Sequence, residues 1–395
     1  MKKIVMTLFG TLLLAGCQNE LYTDPQKDYG SDQGAYIAAK GPIQIFVEEG
    51  KEYFIKDIKV GLTVKEDKSY DIPLIAGDQA QLDEYNRKNN TSYLMLPPEM
   101  YEMPAAMTFK PNLAMQSIPV SLKDLKFSMK GDYALPIRLS KGSIAPIPGE
   151  EEALIILEKR TRTKALLMNN YGSESGQMFP QDFKVKQWTM EVMVRRSAYN
   201  APNRSIGGTK NAPNSSPLDE IFTRFGDVTI DNNQLQIKTG GAQIDIPKNK
   251  FAAQPNEWYM LAFVYDGKAT LVYMNGDLVA ESEIRDGEYG LTGFWIGGSN
   301  EYVREVRFWD IARTAQQIKA YTWKMVNPDE KGLLLYYPCN GQKRDHETGA
   351  ITNDENKVWN WATYYNGDKS KLDLPFPTSG KFDDNDGKMF VFPAE

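Results

Sequence analysis

Aromatic rings and side-chain amides are concentrated near the end of the chain, in the stretch VWNWATYYNGD. The stretch supplies these rings and amides: Trp359, Trp361, Tyr364, Tyr365, Asn360 and Asn366. Sugar rings expose apolar C–H faces that stack on indole and phenol rings, and amides hydrogen-bond the sugar hydroxyls. In an extended segment Trp359 and Trp361 would point to the same side and present adjacent ring faces. We therefore expect a carbohydrate platform here, with burial of the two tryptophans in a core as the alternative.

A second candidate for ligand contact is the polar, turn-rich stretch SAYNAPNRSIGGTKNAPNSSP, residues 197–217. Loops of this length in compact domains are usually either functional or disordered. Tyr199 and Asn203 are the side chains in it that we expect to contact a saccharide. Residues 204–207 could form a short strand, and disorder of the stretch is the alternative.

The N-terminus carries the features of a bacterial export signal: two lysines, an apolar run over residues 4–14, and then Leu14-Ala15-Gly16-Cys17. This arrangement is similar to a lipobox, at which the signal is removed and the cysteine is acylated. The apolar run is too short for a permanent membrane-spanning helix. We therefore expect a signal peptide over residues 1–16, lipidation of Cys17 and a polar tether over residues 17–33. The alternative is a plain secretory signal with an incidental cysteine.

The composition disfavours several classes of chemistry. The net charge of -6 and the lack of a long basic run argue against nucleic-acid binding. The chain has one histidine, His346, so histidine-dependent nucleophilic catalysis and multi-histidine metal sites would all depend on it. Cys339 lies in the apolar run LLLYYPC, and we expect it to pack as a small buried hydrophobic residue rather than to act as a nucleophile.

No carboxylate pair with the spacing of a glycosidase site is visible in the sequence. A jelly-roll glycosidase of the laminarinase type needs two carboxylates about 5 Å apart on one strand, whereas the strand-like run AQIDIPKNK offers Asp245 alone. The densest acidic run, FDDNDGK at residues 382–388, does not follow the EF-hand register, because Phe382 stands where the first ligand belongs. We therefore expect no catalytic residue and no metal site.

The elements that must position these side chains are clearest in NEWYMLAFVYDGKATLVYMNGDLVA, residues 256–280. Every residue from Trp258 to Tyr265 is apolar or aromatic, which is typical of a strand buried on both faces. Asp-Gly at 266–267 and Asn-Gly at 275–276 are turn signals on either side of the β-branched and aromatic run TLVYM. The pattern predicts three antiparallel strands in a meander.

Two later patterns add a strand and a helix. In VREVRFWD, alternation predicts that Val306 and Phe308 face the core while Glu305 and Arg307 face out. The Thr-x-x-Gln sequence at 314–317 is a capping box, which predicts a short helix after it.

These features together resemble the laminin-G/pentraxin group of concanavalin A-like jelly rolls. The matching positions of the meander are Trp258, Ala262, Tyr265, Gly267, Tyr273, Asn275 and Gly276. The resemblance implies a β-sandwich used mostly for binding, often of glycans, and it leaves calcium open as a cofactor without assigning ligands to it. The sequence departs from the family just before Val303, where Glu301-Tyr302 replaces the usual glycine, so we expect a different loop there.

The region before residue 160 has its own pattern of short strand-like runs, with one helical pattern over residues 80–88. It predicts an immunoglobulin-like β-sandwich with Greek-key connections. The order YNRKNNTSYLMLPPEMY, DYALPIRL and ALIILEK is similar to the DUF1735 family of N-terminal domains in Bacteroidetes lipoproteins. That resemblance implies a membrane-proximal domain in a glycan-utilisation system, and we expect it to act as a spacer.

The whole chain is therefore expected to be all-β. The expected domains are a DUF1735 sandwich over residues 34–160, a jelly-roll β-sandwich over 164–340, and an aromatic-rich extension over 341–395 that packs on the jelly roll.

The combined expectation is a non-catalytic glycan-binding lipoprotein, exposed at the outer-membrane surface beside a glycan importer. Its ligand would be an oligosaccharide or a glycoprotein glycan, with N-glycans among the candidates, and no cofactor is assigned. Two alternatives stay open: an endo-acting glycoside hydrolase with an unrecognised carboxylate pair, and an adhesin that binds a protein.

Overall fold

The structure is a computed structural model that describes residues 33–39, 41–65, 67–89, 91–127, 131–169, 172–211, 219–239, 241–298 and 300–393. Cys17, the signal peptide and the tether up to residue 32 lie outside the described residues, as does the end of the candidate loop, residues 212–217. The chain divides into two compact units. The first contains Gly50–Leu125 and Tyr133–Leu157 with the residues up to Ile45, and the second contains Phe46–Glu49, the described part of 126–132 and the chain from Glu158 onward.

The N-terminal part of the chain consists of short strands and one α-helix. The strands are β1 (Gly34–Ile37), β2 (Ile43–Val47), β3 (Tyr53–Ile55), β4 (Lys59–Leu62), β5 (Tyr70–Ala76), β6 (Leu94–Met95), β7 (Tyr101–Glu102), β8 (Ala106–Phe109), β9 (Met115–Ser117), β10 (Val120–Leu122), β11 (Tyr133–Leu139), β12 (Ala145–Pro146) and β13 (Glu152–Lys159). They form sheets in the orders β12-β1-β4-β9, β3-β10-β7 and β2-β13-β11-β5-β8, with β6 beside β11. Helix α1 (Gln79–Asn89) buries Leu82 in a cluster with Ala134 and Ile156, which confirms the predicted helix. A 3-10 turn spans Pro98–Met100.

The second unit is a sandwich of two large sheets. Its strands are β14 (Thr161–Thr163), β15 (Ala165–Met168), β16 (Ser173–Ser175), β17 (Lys184–Val185), β18 (Trp188–Arg196), β19 (Arg204–Lys210), β20 (Ile221–Phe225), β21 (Leu235–Thr239), β22 (Ala242–Asp245), β23 (Trp258–Tyr265), β24 (Thr270–Met274), β25 (Asp277–Ser282), β26 (Tyr289–Gly290), β27 (Gly293–Ile296), β28 (Glu301–Trp309), β29 (Leu333–Tyr337), β30 (Gln342–Arg344), β31 (Ile351–Asn353), β32 (Lys357–Val358), β33 (Leu374–Pro375), β34 (Lys381–Asp383) and β35 (Phe390–Phe392). We call the sheet β16-β27-β19-β20-β21-β22 the front sheet. The sheet β25-β24-β23-β18-β28-β15-β34, with β29 beside β28, is the back sheet.

The main hydrophobic core lies between these two sheets. The back sheet contributes residues such as Val192, Phe263 and Phe308, and the front sheet contributes residues such as Ile237 and Phe294. The predicted meander is confirmed, because β23, β24 and β25 pair antiparallel in sequence order and seven of the eight residues of β23 are buried. The all-β sandwich predicted from the sequence is therefore the observed fold.

The outer face of the back sheet is covered by the following chain. Helix α2 (Ala315–Ala320) begins at the predicted capping box of Thr314 and Gln317, and it buries Ile318 in a cluster with back-sheet residues. A second cluster, which we call the cover cluster, consists of Trp309, Val326, Leu333, Tyr336, Trp361 and Ala362. Val306 and Phe308 lie in the main core as predicted, whereas Glu305 and Arg307, predicted to face out, are buried beneath this layer at 1% and 0% exposure. Cys339 is buried as predicted.

The last residues of the chain belong to the sheets. Strand β34 pairs with β15 at the edge of the back sheet, and β35 pairs with β14. The hairpin β30-β31 and strand β32 lie between Tyr336 and Trp361 in sequence, and β33, which pairs with β32, follows Ala362. No helix among the described residues is both long enough and apolar enough to span a membrane.

Candidate functional site

The predicted platform of two adjacent tryptophans is not present. Trp361 is 1% exposed, its indole N–H donates to the Gln342 carbonyl oxygen at 3.1 Å, and its ring packs edge-on against Tyr336. Asn360 is also 1% exposed, and its amide bonds backbone groups of Tyr336 and Ala362. These two side chains hold the cover cluster together, so their prediction as saccharide contacts is wrong.

The other members of the predicted platform are dispersed by the same packing. Trp359 is half-buried at the edge of the cover cluster. Tyr364 and Tyr365 pack against the main core, and the Tyr365 ring stands edge-on to Phe179 with ring centroids 5.1 Å apart. Asn366 is exposed. The stretch therefore does not form one flat surface, because its alternate side chains pack inward.

The outer face of the front sheet presents a different pair of rings. One residue from each strand forms a row across this face. The row faces away from the core, because neighbours of its members along four of the strands are the core residues Phe294, Ile296, Ile221, Ile237 and Ile244. In sheet order the row is Glu174, Trp295, Gly208, Phe222, Lys238 and Gln243. Trp295 and Phe222 are half-buried, and their ring centroids are 6.4 Å apart.

Glycines around Trp295 make this arrangement possible. Gly208 lies between the two rings, and a Cβ there would be 2.7 Å from Phe222 Cβ. A Cβ at Gly293 or Gly297 would lie 1.9 Å or 2.2 Å from a carbonyl oxygen of the adjacent strand. These glycines therefore let the strands approach closely and leave Trp295 without side chains beside it, as is typical of places where a sheet bends or a ligand approaches the backbone.

A cavity of ≈ 280 Å³ opens beside Trp295. It is lined by Glu174, Thr209, Lys210, Asn211, Glu220 and Trp295. The Lys210 ammonium pairs with the Glu174 carboxylate at 2.6 Å, and the Glu174 side chain is largely exposed while that of Lys210 is partly buried. The cavity is just below the size of most small-molecule sites, about 300–1,000 Å³, so it suits one sugar ring of a longer ligand.

A hydrogen-bonded network of polar side chains lies next to Phe222 on the same face. Arg224 is its centre: its guanidinium donates to Gln236 Oε1 at 2.7 Å, to Asn203 Oδ1 at 2.6 Å and to the Asp227 carboxylate. Gln236 in turn donates to Asp245 Oδ1 at 2.6 Å. The backbone N–H of Val228, with Gln236 and Arg224, holds the pKa of Asp227 below its usual value, so this carboxylate remains ionised. Gln236 is buried and the Arg224 and Asp227 side chains are 12% and 13% exposed, so a sugar hydroxyl would meet this oriented network at its rim, where Asn203 is exposed.

The two loop residues predicted from the sequence lie in different environments. Asn203 adopts a left-handed backbone conformation, φ 57°, and joins the Arg224 network at the rim of the face. Tyr199 instead packs its ring edge-on against Phe225, and its hydroxyl is buried with no hydrogen-bond partner among the described residues. Burial raises the pKa of that hydroxyl well above its usual value. Tyr199 therefore does not offer the expected hydroxyl contact to a ligand.

The interior behind Tyr199 contains a buried ion pair. Glu301 begins strand β28 where the sequence departs from the laminin-G pattern, and it is 0% exposed. Arg196 on the adjacent strand donates to it at 2.6 Å. Burial raises the pKa of Glu301 to about 7 in spite of this partner. The pair closes the end of the core and does not contribute to the outer face.

No group of three or more His, Cys, Asp or Glu side chains among the described residues is arranged to hold a metal ion. The acidic run at 382–388 forms a turn in which Asn385 and Asp386 have positive φ, and Asp384 accepts a hydrogen bond from the Gly387 N–H.

Part of the second unit also matches a known family. Residues 172–319 match the family model described as the Concanavalin A-like lectin/glucanases superfamily. This segment is a concanavalin A-like domain. Residues 20–146 match a separate family model for an N-terminal domain. Both resemblances inferred from the sequence are thereby confirmed.

Among solved structures, the chain is similar to a Bacteroides ovatus protein that is provisionally described as carbohydrate-binding. The TM-score is 0.57 at 21% identity, over 88% of this chain and 97% of that one, which shows a shared fold. A pentraxin of Limulus polyphemus, described as SAP-like, gives a TM-score of 0.31 at 16% identity over 40% of this chain and 81% of its own. EndoBT-3987 of Bacteroides thetaiotaomicron, solved with a Man5GlcNAc product, gives a TM-score of 0.27 at 17% identity over 32% of this chain and 30% of its own. Comparison with curated proteins detects no relative by sequence.

Trp295 and Phe222 of the concanavalin A-like domain were not found from the sequence alone. A signal for Trp295 exists in the G-x-W-x-G pattern at 293–297, which leaves a single side chain on one face of β27. Phe222 and Arg224 alternate in IFTRF with the core residues Ile221 and Phe225. The pairing of β27 and β20 through β19 is what brings the two rings together, and it is not visible in the sequence.

Proposed function

We propose that the chain is a non-catalytic carbohydrate-binding protein whose ligand lies across the outer face of the front sheet. The observation that carries this proposal is the pair of half-buried rings, Trp295 and Phe222, held 6.4 Å apart across Gly208. The fold shared with the Bacteroides ovatus protein supports the proposal.

The face offers each type of contact that a saccharide needs. The rings of Trp295 and Phe222 would stack on the C–H faces of sugar rings, and the Arg224 network with the cavity residues would bond the hydroxyls. Five strand spacings of about 4.8 Å separate Glu174 from Gln243, so the row spans about 24 Å. A face of this length suits an oligosaccharide better than a single sugar.

Three carboxylates on this face are engaged in hydrogen bonds or an ion pair, and a fourth, Glu220, lines the cavity and is exposed. Asp227 is kept ionised by its donors, and Asp245 accepts from Gln236. Glu174 is paired with Lys210. A glycosidase needs one carboxyl group that retains its proton to act as the general acid, together with a second carboxylate. The proposal therefore assigns no catalytic residue and no metal, and binding should persist in EDTA.

Calorimetry of the purified protein against a panel of oligosaccharides, including N-glycans, tests the proposal. Trp295→Ala and Phe222→Ala should each weaken binding about tenfold, because a stacked ring contributes about 1 kcal/mol or more. Leu278→Ala, which removes a half-exposed apolar side chain from the back sheet, is the matched control and should leave the affinity unchanged. Melting temperatures of all three variants check that they are folded.

The proposal fails if no saccharide binds, or if both ring variants bind normally. Release of shorter products during long incubation would instead favour the hydrolase alternative.

The cellular setting is a further part of the proposal, supported by the lipobox and the resemblance to Bacteroidetes lipoproteins. Cys17 would be acylated, and the protein would stand at the outer-membrane surface beside a glycan importer. Cys17→Ala should abolish labelling with a fatty-acid analogue and release the protein from membranes, because acyl chains supply about 0.8 kcal/mol of membrane affinity per buried CH₂. Unchanged labelling and retention would contradict the lipidation. Protease treatment of intact cells tests surface exposure, and co-purification tests the importer.

A further inference from the structure

Trp359 is held as a rigid, accessible ring outside the front sheet. Its indole N–H donates to the Asp354 carbonyl oxygen at 2.9 Å, and one part of the ring packs at the edge of the cover cluster. The rest of the ring is accessible, since the residue is half-buried. The orientation of this ring is therefore fixed before any ligand arrives.

Two lysines converge on the same ring. Lys343 Nζ lies 4.4 Å from the ring centroid and Lys357 Nζ lies 5.2 Å from it. Within the described part of the chain, no carboxylate lies within ion-pair distance of Lys343, and the partner of Lys357 is Asp373 at a loose 3.7 Å. The two ammonium groups therefore concentrate positive charge at one half-buried indole.

The groups beneath this ring do not neutralise that charge. Asp373 accepts a hydrogen bond from the backbone N–H of Asn360 at 3.1 Å and is the one carboxylate paired with Lys357. His346 donates from Nε2 to the Asn360 carbonyl oxygen at 2.8 Å. Among the described residues, Asp373 is the one carboxylate that forms an ion pair with either lysine, so the two ammonium groups leave positive charge at the ring.

We propose that Trp359, Lys343 and Lys357 form a second saccharide site that is selective for sugars with an anionic substituent, a carboxylate or a sulfate. The sugar ring would lie against the indole while the ammonium groups bind the anion. An exposed cation–π contact is weaker than a hydrogen bond between two charged groups, so an anion can draw the lysines away from the ring. This site does not depend on the front sheet being a neutral-sugar site.

Calorimetry of the full chain with tetragalacturonate, a sulfated tetrasaccharide and a neutral tetrasaccharide at low and high salt tests the inference. The anionic ligands should bind and should weaken several-fold when salt is raised from about 20 to about 200 mM, because exposed charges are screened. Lys343→Gln and Lys357→Gln should each weaken that binding about fivefold, and Trp359→Ala about tenfold. Comparison of the affinities for tetragalacturonate and the sulfated tetrasaccharide shows which anion is preferred.

Lys186→Gln is the matched control, because it removes one positive charge from an exposed lysine elsewhere on the same unit and should leave the affinity unchanged. An equal loss in Lys186→Gln would show that net charge alone is responsible and would overturn the site. Binding that is lost in Trp295→Ala but normal in both lysine variants would place the anionic ligand on the front sheet, which also overturns it. Failure of both anionic ligands to bind refutes the inference. Binding of the neutral tetrasaccharide is a separate test of the proposed function.

Discussion

The front and back sheets of the concanavalin A-like domain both carry charged and aromatic side chains on their outer faces, but among the described residues only the back sheet is covered by a further layer. Glu191, Arg307 and Arg313 on the back sheet side are 0–3% exposed. Trp295 and Phe222 on the front sheet keep accessible surface. Alternation along a strand predicts which face a side chain lies on, but the presence of a further layer decides whether that side chain serves stability or binding.

The covered charges form a closed network. Arg313 donates to Glu191 at 3.0 Å, and the indole N–H of Trp309 donates to the same carboxylate at 2.8 Å. Burial alone would raise the pKa of Glu191, but Arg313 and Arg307 outweigh it and hold the pKa below its usual value. The network is thus charged and desolvated, and loss of one member leaves the others without compensation.

The largest effect is expected from Glu191→Ala. It should lower the free energy of unfolding by about 3–5 kcal/mol, because buried guanidinium groups would lose their carboxylate partner. Urea unfolding followed by fluorescence measures the change. The control is Glu283→Ala, which removes an exposed carboxylate that pairs with exposed Lys268. It should lower the free energy of unfolding by less than about 1 kcal/mol. A similarly small decrease in the free energy of unfolding for Glu191→Ala would mean that water reaches the outer face of the back sheet.

Trp361→Ala tests how much the cover cluster contributes to stability. Truncation of a buried tryptophan costs about 3–5 kcal/mol, and we expect the lower part of this range because Trp361 adjoins the half-buried Trp359 in the same cluster. The melting temperature should fall while binding of neutral saccharides stays normal. Normal stability with weakened binding would restore Trp361 as a ligand contact.

Glu301→Gln examines the interior between the two faces. The folded pKa of Glu301, about 7, lies above its unfolded value, so its stabilising contribution is complete below about pH 4.5 and is lost as the pH rises through 7. Glutamine resembles the protonated form and removes this dependence. The variant should match the wild type at pH 4.5 and exceed it by on the order of 2 kcal/mol at pH 8. Thermal melts across this range measure the difference, and a variant that is less stable at pH 8 would show that the ion pair with Arg196 is favourable.

Glu174→Gln on the uncovered face should have the smallest effect on stability. Its ion pair with Lys210 is exposed to solvent, and such pairs contribute about 0–1 kcal/mol. The expected change in the free energy of unfolding is therefore below about 1 kcal/mol at any salt concentration. A loss comparable to that of Glu191→Ala would show that the front face is as desolvated as the back.

The sequence was sufficient for features that depend on local patterns. The meander of β23, β24 and β25 and the capping box of Thr314 follow from turn chemistry and from residues a few positions apart. The sequence was insufficient for Trp361 and Arg307, because each looks solvent-facing until a segment distant in sequence packs over it. The ring pair of Trp295 and Phe222 was missed for a related reason, since strand order determines it.

The pairing of β15 with β34 has a consequence for how the protein is made. Strand β15 lies near the start of the second unit and its partner lies more than two hundred residues later, so this edge of the back sheet stays open until the ribosome has synthesised Asp383. An unpaired edge is a site for pairing with other chains, and such long-range contacts form slowly. We expect a nascent chain stalled after Asn340 to be the species most in need of a chaperone.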